Sequence, residues 1–210
     1  MSRLQPLDLP TARALVAASD ADLPAAVDVP DVFTPEECAR IIGLRRTLGT
    51  DLARVEGRDA DRQGRVVDDG IRTTERTHIL PGTAQEWILD RIARLVEREN
   101  GRHWRFRLTH LEPPQLLTYG SGGHYAWHTD LGATGLMALR KLSVTVQLTE
   151  AAAYVGGALE LQAGGRRIAP SRTLGSAVLF PSWQPHRVTP VTEGTRHALV
   201  CWIVGKRSLR

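Results

Sequence analysis

Tyr119-Gly120-Ser121-Gly122-Gly123-His124-Tyr125-Ala126-Trp127-His128-Thr129-Asp130 stands near the middle of this 210-residue chain, and its last three residues set an imidazole and a carboxylate two positions apart. On an extended strand, residues i and i+2 point to the same face, so His128 and Asp130 can reach one point in space. Two such groups do not make a metal site, and a His-x-Asp triplet arises often by chance. Its meaning depends on what the rest of the chain supplies.

Around it the hydrophobic period is two. Trp104, Phe106, Leu108 and His110 alternate with Arg105, Arg107 and Thr109, and further strands are expected at Gln115–Tyr119 and in the His124–His128 region. Lys141–Leu148, Ala158–Gln162, Arg167–Ala169 after a turn at Ala163-Gly164-Gly165, Ala177–Phe180, His186–Val191 and Arg196–Val204 follow. Roughly eight short strands with turns between them predict a barrel or jelly roll. Before them the period is helical. Thr34-Pro35-Glu36-Glu37 supplies an N-cap hydroxyl, a proline at the first helical position and a capping-box glutamate, and Cys38, Ile41, Ile42 and Leu44 follow at helical spacing toward Gly49. A second helix is expected from a capping box at Thr83-Ala84-Gln85-Glu86 through Ile88, Ile92, Leu95 and Val96 to Asn100-Gly101. Helices first and strands after give an α+β fold, with the N-terminal helices packed on one outer face of the sheet.

The length fits a single domain, divided here into a leader (1–30) with a short strand at Ala26–Val29, a helical support with a polar loop (31–101), and the β core (102–210). The loop at 49–77, long and rich in charge and glycine, reads as a lid whose end, Asp68–Thr73, re-enters as a strand. No apolar run approaches a membrane span. The N terminus has acidic residues and proline where a signal peptide has an apolar core, and Cys38 and Cys201 lie far apart, so a cytoplasmic protein with free thiols is expected. A net charge of +4 and a pI near 9.6 come from arginines dispersed among acidic residues, without the clustered basic face of a nucleic-acid binder.

Downstream of the opening stretch, His186 sits in Phe180-Pro181-Ser182-Trp183-Gln184-Pro185-His186-Arg187-Val188. Read alone it is a surface histidine in a proline-rich loop. If the sheet curls round, however, a late strand can lie beside the one bearing His128, and two imidazoles and a carboxylate on one face of an ion form the facial triad of non-haem Fe(II) oxygenases. Ten residues on, Arg196 opens an otherwise apolar strand, where an inward-facing charge needs a partner such as a ligand carboxylate. The simpler reading of Arg196 is a turn residue facing water.

His-x-Asp, a distal histidine and an arginine ten residues beyond it resemble the 2-oxoglutarate/Fe(II)-dependent dioxygenases. The flanking segments Tyr119-Gly120-x-Gly-Gly, Arg140–Leu148, Gly156–Leu161 and Phe180–Arg196, with Val32–Ile42 for the first helix, are similar to the prolyl-4-hydroxylase-like branch near the bacterial PKHD-type hydroxylases. The resemblance runs from about residue 30 to the end. It implies a double-stranded β-helix (a jelly-roll, cupin-like barrel), Fe(II) held by His128, Asp130 and His186, and 2-oxoglutarate held by Arg196 with help from the Tyr119 hydroxyl. It further implies O2 as the other cosubstrate, ascorbate as a stimulant, and hydroxylation of an unactivated C–H of an amino acid, peptide or protein with conversion of 2-oxoglutarate to succinate. One departure is Ala198, where many relatives carry Ser or Thr as a second donor to the cosubstrate.

Two alternatives stay open. A nucleic-acid dealkylase of the same superfamily resembles a pattern with a second arginine six residues after the first, where this chain has Trp202. A non-catalytic jelly-roll binding module would have no use for three ligands and an arginine together. Trp127 and Trp202 read as core aromatics, His124 as a half-exposed strand residue, and His78, His103 and His110 as unconnected with the site. Arg72 either meets substrate or pairs with Asp68 or Asp69, and residues 131–140 with the 49–77 loop are expected to wall the site. Substrate identity and oligomeric state are not encoded in these patterns.

Overall fold

The structure, a computed structural model, describes residues 23–52, 55–56, 65–66, 70–82 and 84–206. The first part of the leader, Asp68, Asp69, Thr83 and the last four residues lie outside these.

In chain order the elements are β1 (Val27–Val29), α1 (Pro35–Gly43), a short α2 (Arg45–Leu48), β2 (Asp51–Leu52), β3 (Val55–Glu56), β4 (Arg65–Val66), β5 (Arg72–Thr73), β6 (Glu75–His78) and α3 (Glu86–His103). The β core follows with β7 (Leu108–Leu111), β8 (Gln115–Tyr119), β9 (His124–His128), β10 (Arg140–Gln147), β11 (Tyr154–Gly156), β12 (Leu159–Ala163), β13 (Arg166–Ile168), β14 (Ala177–Pro181), β15 (His186–Val188), β16 (Val191–Gly194) and β17 (Arg196–Gly205).

A larger sheet runs β1-β14-β10-β17-β8-β6-β2 with β7 also on β17, and a smaller one runs β13-β12-β15-β9-β5. Every pairing is antiparallel. This is the expected jelly roll, with the refinement that its two sheets face each other without closing into one continuous barrel. Alternation along each strand divides the interior into two layers. Leu142, Val144 and Val146 of β10, with Leu199, Cys201 and Ile203 of β17, join Ile41, Ile88, Ile92 and Leu95 in the core between the large sheet and the helices. The opposite parity turns inward: Leu117 and Tyr119 of β8 pack with Val188 of the small sheet, and Val178 and Phe180 of β14 with Leu161.

Thr34 caps α1 as its sequence specifies, accepting from the Glu37 amide at 3.2 Å while the Glu37 carboxylate accepts from the Thr34 amide at 3.0 Å. The α3 start differs from expectation. It begins at Glu86 behind Gln85, which gives no side-chain cap; a turn in which the Gln85 and Glu86 amides donate to the Gly82 carbonyl takes that place. The helix also runs past Asn100-Gly101 to His103. Asn100 spends its side-chain amide on both backbone groups of Phe106, and Arg105 adopts a φ of 55°, so the chain leaves the helix there and the strand expected from Trp104 starts only at Leu108. Nor is the 49–77 stretch structureless: β2 pairs with β6, β3 with β4, and β5 with β9.

His197 locks α2 to the sheet. Its Nε2 accepts from the Arg45 guanidinium at 3.3 Å, which leaves the proton on Nδ1 to face Thr149 Oγ1 at 3.2 Å. Burial, reinforced by Arg45 and Arg196, pushes its pKa down to about 4. Because the unfolded chain takes up that proton at about 6.5, His197 leaves stability untouched above that pH and erodes it as pH falls toward 4. Urea unfolding as a function of pH is expected to show this acid loss, and His197→Gln to flatten it over the same window.

Candidate active site

The small sheet sets two imidazoles side by side. In the β9–β15 pairing His186 lies opposite His128, and their rings stand 4.1 Å apart between centroids. Asp130 follows two residues after His128, and its position is fixed by the backbone: the Asp130 and Leu131 amides both donate to the Ser182 carbonyl, at 2.9 and 2.8 Å. Ligand atoms of His128, Asp130 and His186 all fall within 4.8 Å of one another. Nε2 of His128 is 3.7 Å and Nε2 of His186 3.5 Å from the Asp130 carboxylate oxygens.

Each imidazole is held from behind. His128 Nδ1 lies 2.8 Å from the Ala126 carbonyl and His186 Nδ1 3.0 Å from the Gln184 carbonyl. A carbonyl only accepts, so both Nδ1 atoms carry hydrogen and both Nε2 atoms are turned toward Asp130. Burial, with the His186 ring beside it, pushes the His128 pKa down to about 3, so this imidazole is neutral near pH 7. Burial alone would raise Asp130, but His186, His128 and hydrogen bonds from Ser143 and Trp202 hold its carboxyl below the usual range. Two imidazole nitrogens and an ionised carboxylate oxygen, pre-aimed at one point, form a set that suits a divalent transition metal with open positions left over.

Around this cluster the β-strand parity places residues that the sequence did not single out. Ser143 of β10 donates to Asp130 at 2.6 Å. Trp202, read from sequence as a core aromatic, shares the inward parity of Arg196 on β17; it is buried, but against Asp130 and beneath the Arg140 guanidinium at 4.0 Å. Arg140 in turn makes a bidentate pair with Glu112 at 2.7 and 2.8 Å. Tyr125 stacks on His128 at 3.4 Å, and burial drives its phenol up to about 12.

Trp127 is not a core residue: its indole is 37% exposed under the Arg187 guanidinium, in the irregular part of β9 between Tyr125 and His128, where three residues of β9 span two of β15. The His124 ring is half-buried and reaches the nearby Gly122 carbonyl at 3.0 Å. A cavity of about 490 Å³ opens beside His128 and Asp130, bordered by Leu131, Gly132 and Met137 of the expected wall, by Arg72 from the end of the polar loop and, against the expectation from sequence, by His78 at the end of β6.

Arg196 and Tyr119 sit opposite each other in the β8–β17 pairing, both 2% exposed, with the guanidinium 5.3 Å from the ring. They do not border the cavity beside His128. Arg196 instead faces a narrow hollow between the sheets with Thr145, Gln147, Tyr154 and Arg172. Arg172 and Gln147 both reach the Tyr154 hydroxyl, at 3.3 and 2.6 Å, so this inner end is polar. Neither Arg172 nor Tyr154 stood out in the sequence, since Arg172 comes from a loop with no periodicity.

Residues 114–204, somewhat less than half of the chain, match the model of the 2OG-Fe(II) oxygenase superfamily. Among curated proteins it is 38% identical over 95 residues to a PKHD-type hydroxylase of Teredinibacter turnerae, covering 43% of this chain and 42% of the relative. It is 29% identical over 187 residues to a PKHD-type hydroxylase of Paracoccus denitrificans, covering 84% and 76%. The chain thus spans less than half the length of several of the curated relatives it matches. In fold it is similar to a prolyl-4-hydroxylase of Pseudomonas putida (TM-score 0.68, 20% identity, 87% of this chain and 93% of that one). It is likewise similar to a prolyl hydroxylase of Trichoplax adhaerens solved with a hypoxia-inducible-factor peptide fragment (TM-score 0.70, 18% identity, 87% and 84%). No helix among the described residues is long and apolar enough to cross a membrane.

Ser143→Ala leaves a buried carboxylate oxygen short of its donor. It is expected to cost about 1–3 kcal/mol of stability in EDTA, where no metal contributes, as read by chemical denaturation; an unchanged midpoint would show that Ser182 or water replaces the bond.

Proposed function

We propose that this chain is an Fe(II)- and 2-oxoglutarate-dependent dioxygenase that hydroxylates an unactivated C–H of an amino acid, peptide or protein side chain. One observation carries the reading: two imidazole Nε2 atoms, each fixed by a backbone carbonyl behind it, converge with a buried carboxylate within 4.8 Å. His128, Asp130 and His186 hold the iron in this reading. The bound metal with 2-oxoglutarate and O2 supplies the oxidising power, and the protein's part is to fix, orient and exclude water.

Arg196 binds the distal carboxylate of 2-oxoglutarate. A buried guanidinium is costly without an anion beside it, and the dicarboxylate would bring that anion into the hollow between the sheets. The Tyr119 ring flanks the guanidinium and its hydroxyl assists. Ala198 offers no hydroxyl, and the nearby polar group at that inner end is the Tyr154 hydroxyl held by Gln147 and Arg172. Ser143 and Trp202 keep the Asp130 carboxylate aimed, and the cavity beside His128 receives the target. The peptide bound by the Trichoplax neighbour supports a peptide or protein side chain as one form of substrate.

Anaerobic titration with Mn(II) tests the metal assignment: His128→Ala, Asp130→Ala and His186→Ala are each expected to abolish tight binding, and succinate formation with it. If all three variants bound Mn(II) like the parent chain, the site would be wrong. Arg196→Ala is expected to keep the metal while weakening 2-oxoglutarate about 10- to 100-fold, the loss of a charge-assisted pair; unchanged affinity would remove Arg196 from that role.

A further inference from the structure

Three guanidinium groups border the cavity beside His128 and Asp130, and two of them are matched. Arg76 gives Nε and Nη2 to the two oxygens of Asp51 at 2.9 and 2.8 Å, and Arg140 does the same to Glu112. The third, Arg72, is 6% exposed, and its Nε has no hydrogen-bond partner among the described residues. The contact its guanidinium does make is the face of Tyr125, 4.6 Å to the centroid. That contact follows from the pairing of β5 with β9: Arg72 lies directly opposite Tyr125, so both side chains share one face of the small sheet. A ring face attracts a cation but does not stand in for an oxygen acceptor at a guanidinium N–H.

Asp130, the one other acid on the cavity wall besides Glu112 among the described residues, is already engaged by Ser143 and aimed at the two histidines. A second polar atom on the same wall is also buried without a partner: Oε1 of Gln115. Buried donors and acceptors are nearly always satisfied, and two orphans of opposite kind lining one cavity mark the places of a ligand's polar groups. A buried cation without a counter-ion calls for an anion in particular. A planar fork left open on its Nε edge matches a carboxylate, and a side-chain amide oxygen matches an N–H.

We propose that Arg72 is a specificity-determining residue that binds a carboxylate of the substrate while Gln115 accepts its N–H, so that the substrate is a free amino acid or the C-terminal residue of a peptide. This rests on the oxygenase reading above and narrows its substrate class. An internal residue of a protein chain, lacking a free α-carboxylate, would leave Arg72 unmatched.

Matched pairs test it. The full chain, loaded anaerobically with Mn(II) and 2-oxoglutarate, is titrated with a panel of L-amino acids and, for each, its C-terminal amide, following the fluorescence of Trp127 and Trp202 at the cavity. At least one acid is expected to bind about tenfold or more tightly than its amide. Arg72→Gln is expected to erase that preference with Mn(II) and 2-oxoglutarate affinities unchanged, and Arg72→Lys to restore part of it. The proposal is overturned if the parent chain binds amides as well as acids or binds neither, or if the preference survives in Arg72→Gln. It is equally overturned if Arg72→Gln weakens 2-oxoglutarate itself, which would make the arginine a cosubstrate anchor. Should Arg72→Gln fail to fold, the acid–amide comparison on the parent chain and on Arg72→Lys still decides. Failure of the parent chain to bind Mn(II) and 2-oxoglutarate would sink the oxygenase reading; binding both with no acid preference would sink only the role of Arg72.

Discussion

The antiparallel pairing of His186 with His128 is the constraint on which the rest depends. It joins residues 58 positions apart and brings two rings to 4.1 Å, a distance at which two protonated imidazoles would repel. Burial keeps His128 neutral, and carbonyl acceptors behind both rings turn their Nε2 atoms forward. The carboxylate between them then has two nitrogen neighbours, a serine hydroxyl and an indole. The segment that carries His186 also holds Asp130, because the Ser182 carbonyl accepts from the amides of Asp130 and Leu131 while the Ser182 amide donates to Lys141 on β10. One short stretch of chain thus ties the two sheets together at the site. Loosening it would move all three ligand side chains at once.

Charge placement follows the same economy of burial. The chain's basic character suggests a cationic surface, yet Arg72, Arg76, Arg140 and Arg196 are each 9% exposed or less. Two have bidentate carboxylate partners within the protein. The other two face the cavity and the hollow, where small carboxylates would complete them. Four of the 27 basic residues that give the pI near 9.6 are therefore turned inward rather than displayed on the surface.

Much of this was legible in the chain. Capping residues at Thr34–Glu37 and period-two runs around Gln115–Tyr119, His124–His128 and Ala177–Phe180 are local signals, and the structure follows them nearly residue for residue. The α3 start, its extension through Gly101, and the delayed β7 were not, since a backbone turn at Gly82 and an Asn100–Phe106 bond decide them and neither has a composition signature. Trp202 is buried as expected, but its place beside Asp130 was not legible because both parities of β17 are apolar, so alternation along the strand does not tell the helix-facing layer from the site-facing one. Arg72 was ambiguous because its surroundings come from β9 and β8, some 50 residues away.

By itself the sequence determined the element types, the jelly-roll class and the set of residues able to ligate a metal, because helix caps, strand period and the i, i+2 geometry of His128 and Asp130 depend only on neighbours along the chain. Tertiary structure alone decided that His186 meets them, that Ser143 and Trp202 support Asp130, and that Arg72 is buried at the cavity wall over Tyr125. Those are outcomes of strand register and burial. They are fixed by which surfaces exclude water together, and no run of adjacent residues encodes that.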